Sequence, residues 1–409
     1  MACCLDRKSE PRSIASSAAA PTAMLSQRPQ SRRCNGDIAG GAAASNNGVL
    51  PNQDVLYEIL LRIPARLLCR FRAVCKSWRS LLSDLQFAAA HAARHRGDPL
   101  FAVCAIDGTY GHDTFTEIRL VDTSGRAVKR VKVGPTSRCQ MLPHLDLVLL
   151  CGMVSVDVGV ERHALRVLDL ATGAVSILPS NNEDTYCSFV LGRAVSSTGE
   201  HGEYKVLSFT TALVNPKQWP FRVLTLDGSG GTWRVAPKPP VSIRTFINGS
   251  GVAIKGIIYH LVDKDSWSIA AFDLEAEQWW PSLVQVLEEP MPTIIDAAHP
   301  LLWRRSLAEM NERLAAVSTT SSAMDIWLLM GSGEQGMWLK QCRICMSSIQ
   351  RDVKPLSMLE DGRVVLRVRT YTRTGALWIY DPRTKSHTRV VVIENCNAGA
   401  GVYTGNLLR

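Results

Sequence analysis

The sequence predicts an α+β multidomain chain, a small three-helix module followed by a mainly-β domain of about six repeats. Three observations carry this expectation. Between Leu50 and Leu82 apolar residues recur at helical spacing. From Leu100 onward the period falls to two, and turns rich in Gly, Asp, Asn and Pro punctuate the chain. Within that second region one strand–turn–strand phrase returns again and again.

Helical periodicity begins at Pro51. Val55, Ile59 and Ile63 recur every four residues, and Leu56 and Leu60 widen the stripe. Asp54 falls in the first turn, where its charge suits the helix dipole. Pro64 lacks an N–H and stops the helix. A second short helix carries Leu67, Leu68 and Phe71. A third runs from Cys75 to Leu82, with Trp78, Leu81 and Leu82 on its apolar side. The stretch from Phe87 to Arg96 extends the helical region, and Gly97-Asp98-Pro99 closes it.

The recurring phrase is an apolar strand, an acidic residue or turn, a few small residues and a second strand, often with Trp. It begins at Glu117, Leu165, Phe221, Ile269, Asp325 and Leu377. A spacing of roughly 50 residues is that of kelch-type blades, and propellers of about four to eight blades are ordinary. The domain is therefore expected to be a kelch-like β-propeller of about six blades. Leu145 to Val160 is too broken by Asp146, Gly152, Asp157 and Gly159 to span a bilayer, and it reads as two buried strands and a turn.

Composition narrows the classes. The chain has 409 residues, 46% hydrophobic and 20% charged, with a formal net charge of +9, as in an ordinary soluble protein. Positive charge suits acidic partners, but it is spread out, with no long Lys/Arg block. Residues 1–48 are rich in Ala, Ser, Arg and Gly and are read as a disordered tail. An organelle leader is the alternative there, opposed by Asp6, Glu10 and Asp37. No secretory leader is evident, and the twelve cysteines lack a framework spacing, so they are expected to be free thiols. The helical module is placed at residues 49–95 and the β domain at 96–409.

Catalytic, cofactor and metal motifs are missing or incomplete. Cys342-x-x-Cys345 has no second pair. On a strand its thiols point to opposite faces and are expected to be buried structural groups. His91 and His95 sit four apart on a helix but lack a third ligand, and solvated helix surface is the expectation. Gly228 to Gly231 and Gly331 to Gly333 lack the Lys-Ser/Thr of a phosphate loop, and no nucleophile elbow occurs. Cys3-Cys4 could be acylated, although Ala2 removes the usual myristoyl signal. The basic residues Arg70, Arg72, Lys76 and Arg79 are not interleaved with stacking aromatics, so nucleic acid is not expected as a partner. No cofactor, metal or membrane partner is expected.

The ordered residues Leu50-Pro51, Asp54, Val55-Leu56, Ile59-Leu60, Arg62-Ile63-Pro64, Leu67-Leu68, Arg70-Phe71-Arg72 and Val74-Cys75-Lys76-Ser77-Trp78-Arg79 resemble the F-box, in its plant form. Cys69 and Ala73 depart from that pattern without a large change in size. The β region is similar to the plant F-box-associated domain through Gly202 to Val206, Gly256 to Leu261, Ala271 to Leu274, Asp325 to Leu329 and Tyr380 to Pro382. The familiar Tyr-Trp of that domain is Tyr259-His260 here. The resemblance implies an F-box that docks on a Skp-type adaptor, and through it on cullin, while the β domain holds a target protein for ubiquitination. Leu50, Pro51, Val55, Ile59, Leu60, Ile63 and Pro64 would form one apolar docking edge. Val74, Cys75, Trp78 and Leu81 would form another. Target selectivity is expected in loops such as those near Trp219-Pro220 and Glu288 to Pro292. Cytosol or nucleus suits the reading. A propeller enzyme, a ligand-binding propeller, and an F-box scaffold outside the ligase stand as alternatives.

Overall fold

Strands that bury both faces lose the simple alternation of a half-exposed sheet, because successive residues both read as apolar. In a computed structural model of the chain, Val148 and Leu150 pack on one neighbour while Leu149 and Cys151 pack on the other. The structure describes residues 53–95, 99–107, 115–135, 139–144, 146–157, 160–179, 187–210, 221–227, 231–243, 251–262, 267–286, 304–320, 322–331, 336–346, 350–370, 374–393 and 399–403. The expectations for residues 1–48, for Leu50 and Pro51, and for the loops near Trp219-Pro220 and Glu288 to Pro292 lie outside these.

Among the described residues four helices come first: α1 (Gln53–Leu61), α2 (Ala65–Phe71), α3 (Lys76–Leu82) and α4 (Leu85–Arg94). Six antiparallel sheets follow. Blade one contains β1 (Leu100–Asp107), β2 (Phe115–Val121) and β3 (Ala127–Pro135). Blade two contains β4 (Cys139–His144), β5 (Leu147–Asp157), β6 (Val160–Asp169) and β7 (Val175–Ile177). Blade three contains β8 (Cys187–Val195), β9 (His201–Thr210), β10 (Phe221–Leu226) and β11 (Arg234–Ala236). Blade four contains β12 (Gly251–Ile254), β13 (Ile257–Leu261), β14 (Ser268–Asp273) and β15 (Gln278–Trp279), with β16 (Val284–Gln285) also paired to β14. Blade five contains β17 (Arg304–Met310), β18 (Arg313–Thr319), β19 (Ala323–Met330) and β20 (Met337–Cys345). Blade six contains β21 (Gln350–Met358), β22 (Val364–Thr370), β23 (Gly375–Asp381) and β24 (Ser386–Ile393).

The last strand, β25 (Ala400–Tyr403), returns to pair with β1 and gives blade one the order β25-β1-β2-β3. The first strands of the blades, β25, β4, β8, β12, β17 and β21, then neighbour one another in a closed ring. This is the six-blade propeller expected from the repeats. Ring closure joins the two ends of the domain by strand pairing and leaves no open inner edge. Each of the six recurring phrases falls on the third and fourth strands of one blade.

The phrase has a physical basis. Its aspartate caps the turn between those two strands. Asp122 Oδ1 accepts from the amides of Ser124 and Arg126. Asp169 accepts from Ala171 and Thr172, and Asp273 from Glu275 and Ala276. Asp381 accepts from Arg383. Such Asx turns compete well with regular structure and so mark a reversal. Four residues beyond three of these aspartates the backbone is left-handed, at Gly173, Glu277 and Lys385.

The recurring tryptophan joins neighbouring blades. The indole Nε1 of Trp233 donates to Pro179 O at 3.0 Å, that of Trp279 to Pro237 O at 2.8 Å, and that of Trp338 to Gln285 O at 2.8 Å. In blade six His387 takes this part, its Nε2 donating to Cys345 O at 3.0 Å. Six apolar clusters fill the six interfaces between blades.

Two expectations need correction. Leu145 to Val160 is not two strands and a turn. β5 runs unbroken from Leu147 through Gly152 to Asp157, and β6 begins at Val160. Gly152 is held from both sides, opposite Cys139 and Ala164, so the ladder carries it across a residue that would weaken a free strand. Cys342 is half-buried, but Cys345 is exposed on the outermost strand of its blade, not buried. Burial and the Asp325 carboxylate push the Cys342 thiol up to about 11, so it stays protonated.

Candidate functional site

The first three helices fall within residues 53–82, too short a segment to expect a core without help. The fourth helix supplies it. Asp84 caps α4, its Oδ1 accepting from the amides of Gln86 at 2.8 Å and Phe87 at 3.0 Å. The cap turns the chain back so that Phe87 enters a core with Leu60, Leu61, Leu68 and Leu82. Tyr57 meets Phe87 edge-on at 5.1 Å, and Phe71 meets Trp78 edge-on at 5.4 Å.

Within this frame the expected docking residues separate into three groups. Val55, Ile59 and Val74 are open to solvent, at 50%, 49% and 62% exposure, and Pro64 and Cys75 are also exposed. Ile63, Trp78 and Leu81 are half-buried against the core. Leu60, expected on the open edge, is 1% exposed. It turns inward because the stripe of α1 is wide: Leu56 and Leu60 face the core while Val55 and Ile59, one position earlier, face out. Leu50 and Pro51 lie outside the described residues.

Exposed apolar side chains on a helix whose opposite face already fills a core are a feature that folding does not explain. The basic residues nearby are partly occupied. Arg79 Nε donates to Arg72 O at 3.2 Å, and Arg72 reaches Ser83 Oγ at 2.9 Å. Cys75 stands at the start of α3 with its sulfur 3.1 Å from Ser77 Oγ. That contact and the Trp78 amide hold its thiol below the ordinary range.

His91 and His95 depart from expectation. His91 is buried, 5% exposed, and its Nε2 donates to Ile63 O at 2.8 Å. His95 donates from Nε2 to Leu61 O at 3.0 Å. The sequence signal that could have found them is Asp84, a cap that commits the following helix to pack back on α1.

Between blades three and four lies a polar site that local spacing could not reveal. Lys205 Nζ donates to Leu274 O at 2.7 Å and to Glu277 Oε1 at 2.9 Å, and Arg234 holds the same carboxylate at 2.5 Å. The two cations keep the Glu277 carboxyl below the usual range, against the opposing effect of its burial. Among the described residues no group of three or more His, Cys, Asp or Glu is placed to hold a metal ion, and no helix is long and apolar enough to cross a membrane.

A solvent-facing apolar stripe on a small helical bundle, followed in sequence by a closed six-blade propeller, defines a two-part protein. Comparison with known families specifies both parts. The F-box domain matches residues 52–89, and the F-box associated beta propeller domain matches residues 198–400. The chain belongs to the F-box proteins that carry an F-box-associated propeller. One F-box protein of Arabidopsis thaliana is 26% identical over 251 residues, 58% of this chain and 60% of its own. That match therefore spans less than two thirds of the relative. Another from the same plant is 25% identical over 323 residues, 75% of this chain and 77% of its own. An F-box/kelch-repeat protein of Arabidopsis thaliana is 54% identical over 39 residues, 10% of this chain and 11% of its own. Among solved structures, a chain of a nidogen/laminin complex covers 75% of this chain and 96% of its own, at 11% identity and a TM-score of 0.39.

Proposed function

We propose that this protein is a non-catalytic substrate receptor of a Skp–cullin–F-box ubiquitin ligase. Residues 49–95 dock on a Skp-type adaptor and through it on cullin. Residues 96–409 hold a target protein and present its lysines to the conjugating enzyme. The chain contributes by tethering: holding the target beside the reacting thioester raises effective concentration and fixes orientation. No side chain of the receptor enters the acyl transfer, and neither nucleic acid nor membrane takes part. Cytosol and nucleus suit this role.

The observation that carries the reading is the exposed set Val55, Ile59 and Val74, within the segment that matches the F-box. Leu50, Pro51, Ile63, Pro64, Cys75, Trp78 and Leu81 complete the proposed docking edge, and Leu60 supports it from the core. The test uses charge at the three open positions, where the fold tolerates it. Val55→Asp, Ile59→Asp and Val74→Asp together should leave the helical circular dichroism unchanged and lower adaptor pull-down at least about tenfold, the scale of losing more than one buried contact. Undiminished adaptor capture by the folded triple variant would reject the reading. Capture of adaptor without cullin would favour a scaffold acting outside the ligase.

A further inference from the structure

Sulfur gathers at one seam of the ring. Met310 and Met324 lie in the cluster between blades five and six, and Met330, Met346 and Met358 pack against it. Met337 adjoins them, for it pairs with Met330 across β19 and β20. These six are more than half of the chain's eleven methionines. Met310 pairs with Arg313, Arg313 reaches Met330, and Met330 pairs with Met337, so the four cross blade five from its first strand to its last. Depth divides the sulfurs. Met310 and Met324 are 1% and 0% exposed, Met330 is half-buried, and Met337 is 67% exposed. Leu339, 53% exposed, lies two residues beyond Met337 on the same strand face.

A strong donor already faces one half-buried sulfur. Arg313 Nη1 donates to Met330 Sδ at 2.7 Å. A weaker version of the arrangement recurs at Met358, whose Sδ lies 3.6 Å from Gln341 Nε2. A thioether is a poor acceptor, so a guanidinium gains little from it. A sulfoxide differs: its S–O bond is strongly polar, and its oxygen makes a charge-assisted hydrogen bond with the same guanidinium. Half-burial leaves Met330 open to a small oxidant. Arg313 is exposed and long, and the terminal torsion of methionine turns easily, so donor and oxygen can meet without repacking the blade.

We propose that Met330 is a reversible oxidation site, where a peroxide converts the thioether to a sulfoxide whose oxygen Arg313 holds. The sulfur attacks one peroxide oxygen. The O–O bond breaks, the S–O bond forms, and the second oxygen leaves as water, carrying both protons of hydrogen peroxide. Sulfur loses two electrons and the peroxide gains them. A dithiol reverses the step, giving two electrons and two protons and leaving a disulfide and water. Oxidation makes one end of the apolar strip Met330, Met337 and Leu339 polar, which alters what that outer surface of blade five can bind. The site stands apart from the adaptor reading, because it uses none of the helical module.

The test treats the folded full chain with hydrogen peroxide and maps oxygen uptake by tandem mass spectrometry. Met330 should gain one oxygen while Met310 and Met324 stay unmodified. Arg313 covers one side of the sulfur, so the oxygen should arrive from the other. One sulfoxide epimer should exceed its mirror form at least about threefold, read with the two epimer-specific methionine sulfoxide reductases, which also show that the oxygen is removed. Arg313→Leu should bring the epimers toward equality, and Arg313→Lys, which keeps a donor, should retain the bias. Thermal unfolding reads the hold on the oxygen. After subtraction of the gap between the reduced proteins, oxidised parent should unfold at least about 2 °C above oxidised Arg313→Leu, and a Met330→Leu background should abolish that excess. A folded parent without oxygen at Met330, an epimer ratio untouched by Arg313→Leu, or the absence of the midpoint excess would each overturn the proposal.

Discussion

The rings of His91, on α4, and His95, at the C-terminal cap of that helix, stack 4.2 Å apart, and they donate hydrogen bonds to Ile63 O just beyond α1 and to Leu61 O at its end. The last carbonyls of a helix have no partners within it. Here a helix some thirty residues further along the chain supplies them. Phe87 stacks on His91 from the other side at 6.2 Å, so the pair is continuous with the core of the module.

This arrangement predicts acid sensitivity of the helical module. Burial is the main effect on His91 and pushes its imidazole below the ordinary range. The Ile63 carbonyl opposes this, and the His95 ring adds to it. The folded state therefore binds a proton less readily than the unfolded state. Stability is complete above about pH 6.5 and falls as pH drops below it. His91→Phe keeps the stack but leaves the Ile63 carbonyl without its donor. It should cost about 1–2 kcal/mol at pH 7.5 and flatten the loss between pH 7 and 5. Urea titrations followed by helical circular dichroism at both pH values check this. An unchanged pH slope in the variant would remove His91 as the cause.

A second histidine works against the propeller. His260 is fully buried between blades three and four, and neither ring nitrogen has a hydrogen-bond partner. Phe209 meets it edge-on at 5.0 Å, and Trp279 lies 6.1 Å away. Gly251, directly opposite on β12, makes the room: a Cβ there would come within 2.4 Å of the ring. Burial holds His260 down to about 3. Between that value and about 6.5 the unfolded chain takes up a proton that the folded one refuses, so stability falls as pH falls through this window. His260→Phe should stabilise the propeller by about 1–3 kcal/mol at pH 7, since an apolar ring leaves no unmet polar atom. It should also reduce the acid loss. Chemical denaturation at pH 5 and pH 7.5 gives both numbers, and a destabilised variant would show that the ring nitrogens are satisfied in solution.

How far the fold was legible follows from these particulars. The blade count could be read because Asp122, Asp169, Asp273 and Asp381 cap local turns, and turn chemistry is written within four residues. The helices could be read because α1 carries a stripe at spacing four. Which side of the stripe was open could not: Leu60 and Ile59 are both apolar, and the choice between them depends on where α4 packs. The Lys205–Glu277 contact spans 72 residues, and the return of β25 to β1 spans the whole domain. Such long-range pairings leave no periodic trace. Cys342 and Cys345 were rightly placed on opposite faces, but the depth of each face depends on β20 being the outermost strand.

The tryptophan of the repeated phrase differs from its apolar neighbours in carrying an indole N–H, and that group reaches the adjacent blade. Trp338 is 8% exposed in the cluster between blades four and five, and it donates to Gln285 O on β16 of blade four. Trp338→Phe retains an aromatic ring in that cluster but leaves the carbonyl unpaired. The expected cost is about 1–3 kcal/mol, part from the lost hydrogen bond and part from the smaller ring. His387, the residue at the corresponding junction of blades five and six, is more exposed, so its unpaired carbonyl can turn to water. His387→Phe should cost only about 0.5–1 kcal/mol. Equilibrium denaturation ranks the two, and amide exchange places the effect, with faster exchange expected at β16 and β20 in Trp338→Phe. Equal and negligible costs would mean that packing alone holds the blades side by side.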